Sequence, residues 1–169
     1  SVEERYGPYA EALLEAYPAD GPVVPKSGRD LARDAAFGWH TWSWARLQSE
    51  KGSSKVYLYY FDQHPDYPED SPRYGSGSPH GQDVDFVFKA LKREETDTDF
   101  ELSDIMATYW TNFAKYGDPN GDGLPRWPEF TQDNHVTMVL KGDKPYPAPV
   151  PDEDAMWVLN SYFEWRRNQ

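Results

Sequence analysis

One short segment restricts the fold of this chain more than any other feature. Residues Val56 to Phe61, with the sequence VYLYYF, are apolar or aromatic without interruption. The run is too short for a stable helix and has a β-branched residue at its head, which predicts a strand over 55–61 that is covered on both faces. Such a strand needs neighbours, and few other segments can supply them. We therefore expect a sheet that lies mostly outside this sequence.

Most of the other segments have helical spacing, because their apolar residues recur at intervals of three and four. The pairs Ser27 with Asp30 and Thr98 with Glu101 predict capping boxes, and Gly117 predicts a helix C-terminus. The sequence predicts an α/β fold over residues 1–169, with mostly helices and a few strands. The predicted helices cover about 8–16, 28–49, 83–91, 100–116 and 152–167, and the predicted strands cover about 55–61, 127–131 and 135–140.

Charge and composition exclude several classes of partner. The chain has 17 Lys plus Arg against 29 Asp plus Glu, which gives a formal net charge of −12. Because binding to nucleic acid or anionic lipid requires a basic surface, neither partner is expected. No apolar run approaches the roughly 20 residues that span a bilayer. The chain has no cysteine, so disulfides, thiolate metal sites and cysteine nucleophiles are excluded.

One loop matches the spacing of an EF-hand calcium site, through Asp118, Asn120, Asp122, Gly123 and Glu129. An EF-hand also requires a helix that leaves the loop, and prolines at 125 and 128 oppose that helix. The spacing is therefore interpreted as a Gly/Asn/Asp turn.

The histidines lack the spacing of a helical zinc pair; they are His40, His64, His80 and His135. No metal or cofactor is expected.

His80 has the surroundings of a catalytic residue. It follows the glycine- and serine-rich stretch 75–79, downstream of the predicted strand, and a helix begins just after it. Catalytic groups of α/β sheets lie on such loops, and an imidazole titrates near neutral pH. No Gly-x-Ser-x-Gly occurs, and Ser76 and Ser78 lack the flanking strand and helix of a nucleophile. The residues alone leave two interpretations, a member of an incomplete catalytic triad or an ordinary surface histidine.

Several blocks occur in the order VYLYYFD (56–62), GSPHGQDVDFVF (77–88), LSDIM (102–106), YWTNFAKYGDPN (109–120) and WPEF (127–130). In this order they resemble the C-terminal third of type-B carboxylesterases, the cholinesterase and para-nitrobenzyl esterase family. The resemblance covers residues 56–140 closely and the flanking helices loosely.

The resemblance implies the C-terminal portion of an α/β-hydrolase fold and a Ser-Glu-His triad whose histidine is His80. It also implies that Asp83 helps to position the triad residues without reacting itself, although Asp83 is equally interpretable as a helix N-cap. The nucleophilic serine, the oxyanion-hole glycines and the triad acid would then lie upstream of Ser1. The implied function is hydrolysis of carboxylic esters by a serine enzyme, with this chain inactive by itself.

The implied partners are a small ester substrate and the N-terminal part of the same enzyme, and open strand edges could also support self-association.

The alternative function is that of a non-catalytic, aromatic-rich module that binds carbohydrate or protein through the seven tryptophans. Trp39, Trp42 and Trp110 fall on inward helical faces and Trp127 on a short strand, which favours a core. A third interpretation is a cholinesterase-like adhesion domain, and the histidine at position 80 argues against it.

Overall fold

The computed structural model describes residues 1–21, 24–65, 67–92 and 95–169. The helices are α1 (Val2–Tyr6), α2 (Ala10–Ala16), α3 (Val24–Arg33), α4 (Trp39–Lys51), α5 (Gln82–Val87), α6 (Asp97–Tyr116) and α7 (Glu153–Arg167). The strands are β1 (Tyr59–Phe61), β2 (Val136–Leu140) and β3 (Tyr146–Pro149). The chain divides into a helical unit, residues 1–47 and 150–169, and a sheet unit, residues 48–149.

A π-helical turn interrupts the helix that the sequence predicted over 28–49. The turn covers Asp34–Gly38 and connects α3 to α4. A π turn contains an extra residue, so it rotates the buried face, and Asp34 is only 1% exposed. The Asp34 carboxylate accepts hydrogen bonds from the Tyr17 hydroxyl at 2.8 Å and from Arg33 Nε at 2.7 Å. Ser27 lies inside α3, so the predicted capping box at its start is wrong.

Aromatic rings fill the core of the helical unit. The rings of Tyr6 and Tyr162 pack edge to face with centroids 4.9 Å apart, and so do those of Trp42 and Trp157 at 4.8 Å. Such contacts contribute about 0.5–1.5 kcal/mol each beyond the area that they bury. Trp39 and Trp42 are buried, as the helical spacing predicted.

Gly38 closes the π turn where the backbone passes close to its neighbours. A Cβ atom at this position would lie 2.9 Å from Asp34 Oδ1 and 2.9 Å from Met156 Cε. We expect Gly38→Ala to lower the free energy of unfolding by about 1–3 kcal/mol, since added volume in a packed interior forces neighbours to shift. Chemical denaturation followed by tryptophan fluorescence measures this change.

Gly28 provides the matched control because it lies in α3 and a Cβ atom added there would meet open space, with no neighbouring group within 4 Å. Gly28→Ala should raise the free energy of unfolding by about 0.5–1 kcal/mol, since alanine loses less backbone entropy in a helix. If Gly38→Ala and Gly28→Ala changed the free energy of unfolding equally, the close packing assigned to the π turn would be contradicted.

The sheet unit contains three described strands in the order β1-β2-β3. β1 pairs parallel to β2 with Tyr60 opposite Val139, and β2 pairs antiparallel to β3. The predicted strand 55–61 is shorter than expected, because Val56 makes only an isolated bridge to Phe130. β1 has one neighbour among the described strands, so its residues are half-buried or exposed rather than covered on both faces.

The sequence prediction failed at two other strands. Residues 127–131 form no strand, only isolated bridges at Phe130 and Thr131. Proline at 128 has no N–H group to donate, which prevents a continuous ladder there. β3 was not predicted, because prolines at 147 and 149 oppose strand assignment. β3 tolerates them as an edge strand whose only described partner is β2.

The core of the sheet unit lies between α5, α6 and β2, and it consists of Phe86, Leu102, Met106, Tyr109, Trp127, Met138 and Leu140. The capping box of α6 is formed by Thr96 and Asp99, two residues before the predicted pair. Gly117 ends the helix with φ +68°, as predicted. α5 ends at Val87 instead of residue 91, and Lys89 follows with φ +55°.

Candidate active site

The candidate site lies where the chain leaves the carboxyl end of β1. The Asp62 amide still bonds to the Leu140 carbonyl of β2 at 3.1 Å, and a long loop then runs to α5. His80 lies exposed near the end of that loop. Gly81 follows with φ +81° and caps α5. This left-handed backbone favours glycine, and it lets the chain enter the helix directly after the imidazole.

Asp83 lies in the first turn of α5, at the second helical position. Its Oδ2 atom accepts a hydrogen bond from the Tyr59 hydroxyl on β1 at 2.9 Å. The N-cap of α5 is Gly81, with no side-chain capping bond, so the interpretation of Asp83 as an N-cap is wrong. Asp83 instead connects the helix that follows His80 to the strand that precedes its loop.

Tyr59 is a neutral donor in this contact over the physiological pH range. Burial raises the pKa of Tyr59 most strongly, and the hydrogen bond to Asp83 and the charge of Asp83 raise it further. Its ring packs edge to face against Trp110 and Trp127, with centroids 5.1 and 6.2 Å apart. These contacts fix the ring, so the hydroxyl is held towards Asp83.

Two serines of the loop take part in hydrogen bonds with other loop residues. The Ser78 hydroxyl donates to the backbone carbonyl of Gln63 at 2.9 Å. Ser76 lies exposed in the same loop, where its backbone amide bonds to the Arg73 carbonyl at 3.0 Å. The geometry therefore supports the expectation that neither residue occupies a nucleophile elbow.

The loop with EF-hand spacing is closed by its own side chains. Asp118 Oδ1 accepts hydrogen bonds from the backbone and side-chain nitrogens of Asn120, at 2.9 and 2.7 Å. Hydrogen bonds from Asn120, first from its backbone and then from its side chain, lower the pKa of Asp118. Asn120 Oδ1 in turn accepts from the Trp127 amide at 2.7 Å. In the part of the chain that the structure describes, no group of three histidine or acidic residues could hold a metal ion.

Comparison with known proteins identifies the family of this chain. The sequence pattern of the carboxylesterase family matches residues 10–149. This chain belongs to the carboxylesterase family. Among curated relatives, liver carboxylesterase of Sus scrofa is 33% identical over 141 residues, which are 82% of this chain and 25% of that protein. Cocaine esterase of Homo sapiens is 37% identical over 138 residues, 78% of this chain and 24% of that protein.

Solved structures agree with the family assignment. A PNB esterase superposes on 94% of this chain and 31% of its own, with a TM-score of 0.73 and 26% identity. Juvenile hormone esterase from Manduca sexta, solved with OTFP covalently attached, covers 92% of this chain and 32% of its own, with a TM-score of 0.70 and 24% identity. The carboxylesterase chain therefore has part of an α/β-hydrolase fold and spans about a quarter of the length of the curated relatives it matches.

The tryptophans of the carboxylesterase chain serve mainly its core. Trp39, Trp42 and Trp127 are buried and Trp110 is half-buried, whereas Trp44 and Trp157 are exposed. This distribution disfavours the alternative of an aromatic binding module. Among the described residues, no helix is both long enough and apolar enough to cross a bilayer.

The sequence singled out His80 and Asp83 as candidates, but it did not indicate that Tyr59 and Gln63 bond to the residues around them. Tyr59 was assigned only to a buried strand, although the alternation of side chains along β1 allowed it to face α5. Gln63 had no signal, because its partners lie far away in the sequence.

Proposed function

We propose that this chain is the C-terminal portion of a serine carboxylesterase and that His80 is the general base and acid of its catalytic triad. The substrate is a small carboxylic ester. The observation that carries the proposal is the position of His80 just before α5, on the loop that leaves the carboxyl end of β1, in a chain of the carboxylesterase family. The nucleophilic serine, the triad acid and the oxyanion hole belong to the N-terminal part of the enzyme.

In the acylation step, the serine hydroxyl attacks the ester carbonyl while one imidazole nitrogen of His80 removes its proton. Backbone N–H groups of the N-terminal part stabilise the oxyanion of the tetrahedral intermediate. The protonated His80 then gives its proton to the leaving alkoxide. The products are an acyl-enzyme and a neutral alcohol.

In the deacylation step, His80 removes a proton from water, and the resulting hydroxide attacks the acyl carbonyl. Collapse of the second tetrahedral intermediate breaks the acyl–serine bond, and His80 returns the proton to the serine oxygen. Both steps need the imidazole at one fixed position. Asp83 supports that position, since its hydrogen bond to Tyr59 holds the start of α5 against β1.

The proposal has a direct test in the coding sequence upstream of Ser1. We expect a Gly-x-Ser-x-Gly motif there, between a strand and a helix. The isolated 169-residue chain should hydrolyse p-nitrophenyl acetate no faster than a denatured sample of the same chain. An upstream sequence without a nucleophile elbow, or saturable hydrolysis by the isolated chain, would contradict the proposal.

The β1 edge is the surface that the N-terminal part would cover. The Leu58 carbonyl and the Asp62 amide bond to β2, so the backbone groups of the intervening Tyr59 and Phe61 point to the other edge. That edge has no partner strand among the described residues. Side chains of this strand also take part in an apolar cleft of about 200 Å3, which is lined in part by Tyr57, Tyr59 and Trp110.

We expect the isolated chain to self-associate through this edge, because an unpaired strand with apolar surroundings is a template for pairing. Sedimentation equilibrium should give a mass about twice the 19.5 kDa of one chain. The full-length enzyme should not form this contact, since its own sheet covers the edge. A mass of 19.5 kDa at every protein concentration would refute the self-association.

A further inference from the structure

The side chain and backbone of Gln63 connect three parts of the sheet unit at the base of the His80 loop. Gln63 lies two residues after the end of β1. Its Nε2 atom donates to Asp99 Oδ1 at 2.7 Å, and its Oε1 atom accepts from the Gly142 amide at 2.9 Å. Its backbone carbonyl accepts from the Ser78 hydroxyl at 2.9 Å. One residue thus joins the His80 loop to the start of α6 and to the turn between β2 and β3.

The Asp99 end of this connection is buried and held by several hydrogen bonds. Asp99 is buried and belongs to the capping box of α6, where its Oδ2 atom accepts from the Thr96 amide at 2.8 Å. Burial alone would raise the pKa of Asp99, but hydrogen bonds from Thr96 and Gln63 together lower it below the ordinary range. The carboxylate is therefore ionised at neutral pH, and its hydrogen bond with the Gln63 amide is charge-assisted.

The Ser78 contact closes a loop that would otherwise have many conformations. Gly75 and Gly77 both have positive φ, at +65° and +67°, which residues with a Cβ atom rarely adopt. The hydrogen bond between Ser78 and Gln63 brings the end of the loop back to its beginning, two residues before His80.

His80 is therefore held between two contacts that both lead back to β1. Ser78, two residues before it, bonds to Gln63 just beyond the strand. Asp83, three residues after it, bonds to Tyr59 within the strand. With both contacts formed, the backbone of the imidazole-bearing residue is fixed to the sheet from each side.

We propose that Gln63, acting through Ser78, is a positioning residue for His80. This inference rests on the proposed function, because positioning has a catalytic consequence only if His80 transfers protons. Reacting groups must be held closely, and a displacement of about 1 Å can lower the rate by about 100-fold. Loss of the Gln63 connection should therefore reduce turnover and leave substrate affinity unchanged.

The first readout is the order of the His80 backbone in the isolated 169-residue chain, measured by 15N relaxation. In the parent chain we expect an order parameter near 0.85, which is typical of rigid backbone. Ser78→Ala removes the hydroxyl that donates to Gln63, and Gln63→Leu removes the two side-chain hydrogen bonds that hold the accepting carbonyl in place. Each variant should lower the order parameter below about 0.6. Ser76→Ala, in the same loop, is the matched control and should leave it unchanged. Melting curves verify that each variant is folded.

The second readout is steady-state kinetics of the full-length enzyme. Ser78→Ala and Gln63→Leu should each lower kcat by about 10- to 100-fold with an unchanged KM. Ser78→Thr retains the hydroxyl and should restore most of the lost kcat. If Gln63 and Ser78 had a purely structural role, their loss would not lower kcat alone with KM unchanged, and Ser78→Thr would not restore kcat.

Two results would overturn the inference. The first is an unchanged order parameter at His80 in both variants, and the second is an unchanged kcat in variants whose His80 has become mobile. Failure of the proposed function is separate, because it would appear as full activity in His80→Ala while the order parameters still respond to Ser78→Ala.

Discussion

Replacing His80 with alanine in the full-length enzyme should lower kcat by a factor of about 10⁴ to 10⁶. Removal of the histidine of a serine triad eliminates both the base for acylation and the acid for departure of the alcohol, and the members of such a triad act as a unit. The residual rate would come from the oxyanion hole and from substrate binding. Hydrolysis of p-nitrophenyl butyrate under saturating conditions measures the loss.

His40 provides the matched control for this experiment. It is an exposed histidine on α4, in the helical unit, and no step of the mechanism uses it. His40→Ala should retain kcat within about twofold. If His80→Ala and His40→Ala have equal activity, His80 is not the triad histidine, and the assignment of the site is wrong.

Phe86→Ala is the substitution for which we expect the largest loss of stability. Phe86 is 1% exposed, its ring packs against Phe61 with centroids 5.0 Å apart, and its carbonyl accepts from the Ser103 hydroxyl at 2.6 Å. Truncation of a buried phenylalanine costs about 3–5 kcal/mol, because it removes apolar contacts and leaves a cavity. Domains of this size are commonly stable by only about 5–15 kcal/mol, so the variant should be close to unfolding.

Phe88, two residues later, is a control of the same residue type. It is 76% exposed, so Phe88→Ala should change the free energy of unfolding by less than about 0.5 kcal/mol. Urea denaturation of the isolated chain compares the two variants directly. Similar midpoints for both would contradict the packing of α5 against the core, and with it the support for Asp83.

The sequence was most informative where local and long-range effects agree. α6 has an unbroken apolar periodicity and a glycine at its end, and its predicted span of 100–116 falls within the observed Asp97–Tyr116. Its start was misplaced because two threonine-acid pairs, at Thr96 and Thr98, compete for the cap. The structure uses Thr96, whose hydroxyl accepts from the Asp99 amide at 3.2 Å.

Tertiary effects explain the remaining differences. The π turn depends on a buried carboxylate at Asp34 that finds Tyr17 and Arg33, and no local pattern predicts that pairing. β3 has prolines that oppose a strand, and only its position at an edge permits them. The first feature depends on the hydrogen bond between Asp34 and Tyr17, and the second depends on the place of β3 in the sheet.

The residues of the candidate site also differ in how far the sequence alone points to them. The sequence singles out His80 as a candidate because glycines, a strand and a helix surround it within a short stretch of sequence. It does not single out Tyr59 or Gln63, since their roles depend on hydrogen bonds to Asp83 and Asp99 that the fold alone creates. The sequence therefore singles out the imidazole that we propose as reactive, whereas the structure shows which residues bond to its loop and to the helix after it.

Active-site labelling with a fluorophosphonate, followed by peptide mapping of the full-length enzyme, tests the central claim most directly. We predict one phosphonylated serine, located upstream of Ser1, and no label on Ser76, Ser78 or any other residue of this chain. His80→Ala should slow the labelling by at least about 10³-fold, since the serine loses its base. Labelling within this chain, or labelling of His80→Ala at the parent rate, would contradict the account.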